Sequence, residues 1–302
     1  MDKIGIVTIT YNSQKVISEF LKCILSQKYT NFILYIVDNN SNDDSINLIK
    51  DYKDDRVIVI ENKKNFGVAK ANNQGIEQAI LDNCEQVLLI NNDIECDAHL
   101  LDKLLENQSG LKASMVAPKI MYYNKPNYIW YAGSWFSKKN GYLPSHRGIN
   151  MMDKGQYDTM VKVDYAPTCC ILINISVFKD IGLMDENYFV YFDDTDFLFR
   201  VFKQGQHKLY YCPDTVLYHK VGTLTNSFQK QNKQIYRSDF FIKQITKNYI
   251  YFLKKNGGLF SYFYIIWLFF RNNIKFIINK KIRKDFHTFI LINKSYFEGL
   301  KM

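Results

Sequence analysis

Several patterns that define enzyme classes are missing from this sequence. The six cysteines include no C-x-x-C pair, and their spacing suits neither a zinc site nor a disulfide framework, so we expect reduced thiols. The motifs G-x-x-x-x-G-K-[ST], G-x-G-x-x-G, H-E-x-x-H and G-x-S-x-G are also absent. Their absence argues against P-loop ATP hydrolysis, Rossmann-type dehydrogenase chemistry, zincin proteolysis and serine esterase activity.

Signals for export and for membrane spanning are missing as well. The first residues lead directly into an apolar strand-like segment, without the charged and apolar regions of a signal peptide, so we expect a cytoplasmic protein. The longest aromatic, uncharged run covers residues 259–270 and ends at Arg271. A bilayer span needs about 20 apolar residues. We therefore do not expect a transmembrane helix.

Charge divides the chain into two unlike parts. The 302 residues carry a net charge of +9, with 47% hydrophobic and 23% charged residues, a composition typical of globular proteins. From Lys230 onward there are 15 Lys or Arg residues and three acidic residues, a net of +12, so the first 229 residues carry −3. We predict a boundary near residue 228 between an acidic body and a basic, aromatic, helical tail.

Apolar runs and amphipathic stretches alternate through the first hundred residues. The pattern predicts strands over 3–9, 32–37, 57–60 and 87–90, and helices over 14–27, 43–52 and 68–81. Such alternation indicates stacked βαβ units, and therefore an α/β fold with a mostly parallel sheet and flanking helices. Glycine and proline punctuate residues 121–160, where we expect loops and short strands.

Polar clusters follow two of these strands, where ligands bind in open α/β sheets. One strand runs into Asp38-Asn39-Asn40-Ser41, and another runs into Asn91-Asn92-Asp93. Parallel neighbouring strands would bring Asp38 and Asp93 to one crevice, together with Thr10-Tyr11-Asn12 after the first strand. The alternative is that both aspartates only cap the helices that follow.

A second cluster places three carboxylates within four positions, at Asp193, Asp194 and Asp196. Crowded carboxylates raise one another's pKa, which costs stability unless a cation or a function compensates. The alternative is the acidic first turn of a helix over 195–203, favoured by the helix dipole. The surrounding aromatic residues favour a functional cluster. His219, after an apolar stretch, gains weight only if it converges with Asp93.

These motifs, taken in order, resemble glycosyltransferase family 2, and within it the rhamnosyltransferase-like branch that builds bacterial surface polysaccharides. The resemblance covers roughly residues 3–225. It rests on Val7-Thr8-Ile9-Thr10-Tyr11-Asn12, Val37-Asp38-Asn39-Asn40-Ser41, Asn65-Phe66-Gly67, Asn72-Asn73-Gln74-Gly75, Asn91-Asn92-Asp93, Gly182-Leu183-Met184-Asp185-Glu186, Asp193-Asp194 and Val216-Leu217-Tyr218-His219.

The resemblance implies a GT-A fold, a nucleoside-diphosphate sugar donor (UDP- or dTDP-linked), a divalent metal (Mn²⁺ or Mg²⁺) and inversion at the anomeric carbon. It implies a catalytic domain over 1–228, with a nucleotide-sugar half over about 1–120 and an acceptor half over about 121–228. Asp93 and His219 would hold the metal. Asp194 would be the catalytic base, with Asp193 tuning its pKa. The nucleotide-sugar pocket would contain Thr10, Tyr11, Asn12, Asp38, Asn65, Gly67, Asn92 and Asp93.

The tail, residues 229–302, combines aromatic runs with basic groups at 254–255 and 280–284. This pattern favours an interfacial anchor on anionic lipid, and hence a peripheral protein on the inner face of the cell membrane. The family resemblance implies a glycan or lipid-linked glycan acceptor. The alternative is that the helices dock on the body or on a second subunit. Two other functions stay open: a non-catalytic nucleotide-sugar or glycan-binding protein, and nucleic-acid binding, which the acidic body disfavours, so we expect no nucleic acid partner.

Overall fold

The computed structural model describes residues 2–221, 228–231, 234–278 and 285–302. Its strands are β1 (Ile4–Thr10), β2 (Phe32–Asp38), β3 (Val57–Glu61), β4 (Gln86–Ile90), β5 (Ile94–Cys96), β6 (Met115–Tyr122), β7 (Lys125–Tyr131), β8 (Val161–Val163), β9 (Cys170–Asn174), β10 (Leu209–His219), β11 (Phe228–Gln231) and β12 (Gln234–Arg237). Its α-helices are α1 (Ile17–Leu25), α2 (Ser45–Lys50), α3 (Val68–Leu81), α4 (Leu100–Gly110), α5 (Ile175–Ile181), α6 (Asp193–Gln204), α7 (Asp239–Asn256), α8 (Gly258–Ile278) and α9 (Phe286–Lys301).

The predicted α/β fold is confirmed, with one central sheet flanked by helices. The sheet runs in the order β3-β2-β1-β4-β9-β6-β10-β5, with β7 beside β6 and β8 beside β10. The first four strands in this order are parallel, as expected for βαβ units. Beyond β4 the sheet is mixed, because β9 runs antiparallel to both β4 and β6.

Strand register brings the first polar cluster together. In the β1–β2 pair, Thr10 lies opposite Asp38 at the carboxyl ends of both strands. The β4 strand pairs with β1 on its other side and ends at Ile90, just before Asn91-Asn92-Asp93. The loops after β1, β2 and β4 therefore leave the sheet at the same edge, as the sequence pattern predicted.

A second pairing carries His219 to the same edge. β10 pairs with β5 in antiparallel register, with His219 opposite Ile94. Since Ile94 directly follows Asp93, the end of β10 lies beside the end of the β4 loop. The backbone N–H of Lys220 donates to the Asp93 carbonyl at 2.8 Å and fixes this approach.

The tail is helical over most of its described length. Ile250, Phe252 and Leu253 of α7 are buried in the same apolar core as the sheet. In contrast, α8 leaves much of its apolar surface exposed. None of the helices within the described ranges is both long enough and apolar enough to cross a bilayer. The basic group at 280–284 lies outside the described residues.

The cysteine expectation needs one correction. Cys23 and Cys96 form a disulfide, with their Cα atoms 6.2 Å apart. The other four cysteines are free thiols and buried: Cys84, Cys169, Cys170 and Cys212. Sequence spacing gave no sign of the pair, because β5 and α1 become neighbours only in the folded protein.

Candidate active site

The first half of the site is organised around Asp38. This buried carboxylate accepts hydrogen bonds from the Ser41 backbone N–H at 2.9 Å and from the Ser41 hydroxyl at 2.5 Å. Asn12 has a left-handed backbone (φ 53°), and its N–H donates to the Ser41 hydroxyl at 2.9 Å. The loops after β1 and β2 are thus joined through Ser41, while Tyr11 remains 43% exposed at their rim.

Asparagine side chains connect this loop pair to the start of α3. The buried Asn39 donates from Nδ2 to the Gly67 carbonyl at 3.1 Å, and Asn65 accepts from the Gly67 N–H at 2.9 Å. Gly67 has φ 87°, and a Cβ there would lie 2.3 Å from the carbonyl oxygen of Phe189. Only glycine fits at this close approach. Asn65 and Gly67 therefore lie next to the Asp38 loop, as the sequence predicted.

Asn92 is directed into the protein. Its Nδ2 atom lies 2.9 Å from the Ile9 carbonyl, 3.3 Å from Thr10 Oγ1 and 3.2 Å from Ser13 Oγ. These contacts place Asn92 as a brace under the loop after β1 and leave its neighbour Asp93 as the carboxylate of this element.

Asp93 and His219 converge at the end of the sheet. The Nε2 atom of His219 lies 3.2 Å from the Oδ1 atom of Asp93, and both side chains are more than nine-tenths buried. Trp130 packs edge-on against the His219 ring with centroids 4.7 Å apart, and against His146 at 4.6 Å. Burial lowers the pKa of His146 to about 4, so this second imidazole adds no positive charge near neutral pH.

This donor pair fits a divalent cation. Carboxylate oxygen and imidazole nitrogen are ligands that Mn²⁺ accepts well, and Mg²⁺ prefers the carboxylate. Two ligands at about 2.1 Å from one octahedral ion lie about 3 Å apart when they are adjacent, which matches the observed separation. The buried Nδ1 atom of His219 has no hydrogen-bond partner among the described residues. Across the same part of the chain, no group of three or more His, Cys, Asp or Glu side chains could hold a metal.

Asp193 and Asp194 form the second half of the site, at the start of α6. Burial, and then the neighbouring Asp194 charge, raise the pKa of Asp193 to about 8. Burial also raises the pKa of Asp194. Two adjacent buried carboxyls retain a proton near neutrality because both cannot ionise cheaply.

Hydrogen bonds distinguish the two carboxyls. Asp194 accepts from the Tyr165 hydroxyl at 2.8 Å, from the Thr195 N–H at 2.6 Å and from the Thr195 hydroxyl at 3.2 Å, and the Thr168 backbone also donates to it. Among the described residues, Asp193 accepts hydrogen bonds from backbone N–H groups of the first helical turn. Donors stabilise the ionised form. We therefore assign the retained proton to Asp193 and the negative charge to Asp194.

Asp196, the third acidic residue, has a structural environment. It is fully buried and contacts Arg200 Nε at 3.0 Å, Lys255 Nζ at 2.9 Å and Asn256 Nδ2 at 2.6 Å. With both oxygens held by cations or donors, it has no free face for a substrate. The sequence could not separate Asp196 from Asp194, because Lys255 and Asn256 come from a distant helix, α7.

One short segment joins the two halves. The Thr168 backbone donates to Asp194, and the Cys169 carbonyl accepts from the Asn91 N–H at 3.1 Å. Burial, followed by the Asp93 charge, raises the pKa of the Cys169 thiol. Residues 168–169 thus lie between Asp93 and Asp194. Sequence analysis missed Tyr165 and Trp130, which have no motif around them.

Comparisons with known proteins place the chain in a family. Residues 5–182 match the family described as Glycosyl transferase family 2. The chain is 25% identical over 206 residues to the low-salt glycan biosynthesis hexosyltransferase of Haloferax volcanii, covering 68% of this chain and 63% of that protein, which is less than two thirds of its length. It is 24% identical over 216 residues to the dTDP-rhamnosyl transferase RfbF of Shigella flexneri, covering 72% and 68% of the two chains.

Solved structures share the fold. The S. aureus TarS fragment 1–349 in complex with UDP-GlcNAc superposes with a TM-score of 0.61 at 15% identity, over 98% of this chain and 81% of that one. The structure of GalNAc-T7 with UDP, GalNAc and Mn²⁺ gives a TM-score of 0.62 at 13% identity, over 84% and 48% of the two chains. At these identities the likeness concerns the fold alone.

Proposed function

The chain belongs to glycosyl transferase family 2, and on that basis we propose that it is an inverting, metal-dependent glycosyltransferase of surface-glycan synthesis. Its donor is a UDP- or dTDP-sugar, and its acceptor is a glycan or a lipid-linked glycan. The observation that carries the proposal is the convergence of a carboxylate–imidazole pair and a buried carboxyl pair on residues 168–169.

Each half of the site has a separate task in the proposed reaction. The loops around Asp38 and Gly67 bind the nucleoside, and Asp93 with His219 would hold the cation. A bound divalent ion supplies positive charge to the departing diphosphate. Asp194 takes the proton of the acceptor hydroxyl as the acceptor oxygen bonds to the anomeric carbon and the bond to the diphosphate oxygen breaks. Attack opposite the leaving group inverts that carbon.

The relatives support the donor class. The Shigella flexneri relative is named a dTDP-rhamnosyl transferase, and the TarS and GalNAc-T7 structures hold UDP or UDP-GlcNAc. A thermal-shift screen of UDP- and dTDP-sugars with Mn²⁺ or Mg²⁺ tests the proposal. A ligand at 100 times its Kd stabilises the fold by about 2.7 kcal/mol. Stabilisation by one nucleotide sugar that needs the metal supports the proposal, and no response to any of them contradicts it.

The tail supports a membrane location on the inner face of the cell membrane. One face of α8 and three positions of α9 expose large apolar side chains at helical spacing: Leu259, Tyr262, Phe263, Ile266, Trp267, Phe270, Ile274, Ile277, Ile278, Phe286, Ile290 and Phe297. We call these residues the α8 ridge. Residues 258–278 include Arg271 and Lys275 and no acidic residue. An apolar face with basic neighbours suits an anionic lipid surface.

The position of the α8 ridge also supports a lipid-linked acceptor. On the inward side of α8, Phe260 packs against Tyr142 with ring centroids 6.1 Å apart. Tyr142 in turn packs against Phe199 of α6 at 4.8 Å. Helix α8 is therefore packed through Tyr142 against the helix that carries Asp194, so the proposed lipid surface and the proposed base lie on neighbouring elements.

A further inference from the structure

The segment before the catalytic carboxyls has an unusual backbone. Tyr191 and Phe192 both adopt left-handed conformations, with φ of 65° and 70°. Residues with large side chains rarely occupy this region, which favours glycine. Two such residues in succession persist only where the surrounding structure holds them. Because Asp193 and Asp194 follow immediately, this backbone sets the direction in which α6 presents them.

Asn248 of α7 is the side chain that grips this segment. It is completely buried, and its Nδ2 atom donates to the carbonyls of Val190 and Tyr191, each at 2.9 Å. Its Oδ1 atom is buried without a hydrogen-bond partner among the described residues. An unpaired buried acceptor destabilises a fold. The value of an amide at this position therefore lies in its two donated bonds.

Contacts that follow Asn248 along α7 also fix the first turn of α6 to the same helix. Tyr249 stacks on Phe192 with ring centroids 5.5 Å apart. About two turns further along α7, Lys255 and Asn256 hold Asp196. Asp193 and Asp194 therefore lie between two points of attachment to α7, and the backbone that aims them depends on the first.

We propose that Asn248 is a positioning residue for the transfer reaction, which orients Asp194 toward the acceptor hydroxyl by holding the Val190 and Tyr191 carbonyls. The proposal rests on the proposed role of Asp194 as base. It makes α7 a working part of the active site, although this helix lies outside the residues that match the family, 5–182.

We expect binding of the nucleotide sugar to be independent of the Asn248 contact. The residue that precedes Val190 is held separately from α3, because the Val68 N–H donates to the Phe189 carbonyl at 2.6 Å. The hydrogen bonds of the Asn248 amide go to the backbone carbonyls of residues 190 and 191. Neither bond reaches the loops around Asp38 and Gly67, which bind the nucleoside in the proposed function. Loss of the amide should therefore lower turnover and leave nucleotide affinity unchanged.

The test compares the full-length wild type with Asn248→Leu, Asn248→His and Gln244→Leu. Leucine keeps the volume and removes both donated bonds, whereas histidine keeps one ring N–H near the position of Nδ2. Gln244→Leu is the matched control, since it removes another buried amide from the same helix. The readouts are hydrogen exchange of residues 190–196, the Kd of UDP with Mn²⁺, and release of UDP from UDP-GlcNAc or of dTDP from dTDP-rhamnose.

We expect Asn248→Leu to exchange amide hydrogens faster at residues 190–196 and to lose about tenfold or more in kcat. A tenfold loss in kcat corresponds to ~1.4 kcal/mol of activation free energy. The affinity for UDP should stay within about twofold of the wild-type value. Asn248→His should regain part of the rate even if the leucine variant folds poorly. Unchanged exchange at 190–196, or equal effects of Gln244→Leu, would overturn the positioning role whatever the activity. A wild type that turns over neither nucleotide sugar overturns the proposed function instead, and the exchange data then still decide whether Asn248 holds the loop.

Discussion

The Nε2 atom of His219 lies 3.2 Å from the Oδ1 atom of Asp93, although the two residues are 126 positions apart in the sequence. The antiparallel pairing of β10 with β5 creates this contact, because it sets His219 opposite the residue that follows Asp93. A buried carboxylate and imidazole at this separation are suited to sharing one cation.

Asp93→Asn should abolish metal-dependent binding of the nucleotide sugar. The amide keeps the size of the side chain and lacks the negative charge that attracts the cation. Isothermal titration of UDP with and without Mn²⁺ measures the effect, and Glu95→Gln, an exposed carboxylate two residues away, is the matched control. An Asp93→Asn protein that still binds UDP more tightly with Mn²⁺ would show that the cation lies elsewhere.

Asp193→Asn should make the protein more stable in mild alkali. The pKa of Asp193 is raised from 3.8 to about 8, so its contribution to stability is complete below about pH 4 and is lost as the pH rises to about 8. Asparagine removes this ionisation. We expect the melting temperature of the variant to exceed that of the wild type at pH 8–9, with a difference that shrinks toward pH 5. A constant difference across this range would contradict a raised pKa.

Tyr165→Phe should shift the acid limb of the pH–rate profile to higher pH. The Tyr165 hydroxyl donates to Asp194 and lowers its pKa against the opposing effect of burial. Without this donor, Asp194 holds its proton to higher pH and acts as a base only at higher pH. The kcat profile from pH 5 to 9 measures the shift. Tyr157→Phe, an aromatic residue of the same half of the protein without a contact to Asp194, should leave the profile in place.

Phe263→Glu should weaken binding to anionic vesicles. Phe263 is 68% exposed at the centre of the α8 ridge, where a carboxylate opposes both the apolar and the electrostatic attraction to lipid. Leu81→Glu at the end of α3, with 71% exposure, is the matched control. Sedimentation with phosphatidylglycerol vesicles should fall only for Phe263→Glu, and the wild type should bind less at high salt. Equal sedimentation of all three proteins would sink the lipid-surface proposal.

Truncation near residue 230 would not make the same test. Phe252 and Leu253 of α7 are fully buried, and Lys255 and Asn256 hold Asp196. Removing the tail would therefore remove buried side chains from the core and the α7 partners of Asp196 in α6. Loss of vesicle binding would then follow from unfolding alone.

The edge of the sheet at which β1, β2 and β4 end was predicted well from the sequence, since each of these strands is a short apolar run followed by a polar cluster. Thr10, Asp38 and Asp93 meet because carboxyl ends of parallel strands share an edge, a rule that needs no tertiary information. Helix α6 begins at Asp193, two residues before the predicted start, with all three acidic residues in its first turn.

Other parts could not be derived from local pattern. The antiparallel β9, the approach of Tyr165 to Asp194 and the grip of Asn248 on residues 190–191 all depend on contacts between segments far apart in the chain. The contacts of Asn92 were also hidden, because its position in Asn91-Asn92-Asp93 says nothing about the direction of its amide.

Sugar transfer by Asp194→Asn, measured beside Asp196→Asn and together with UDP affinity, tests the central claim most directly. The account predicts that Asp194→Asn binds UDP with Mn²⁺ normally and loses about 10²–10⁴-fold in transfer, the usual contribution of a general base. Asp196→Asn should lower the melting temperature because it removes the carboxylate between Arg200 and Lys255. Near-normal transfer by Asp194→Asn would contradict the account and place the base at another residue.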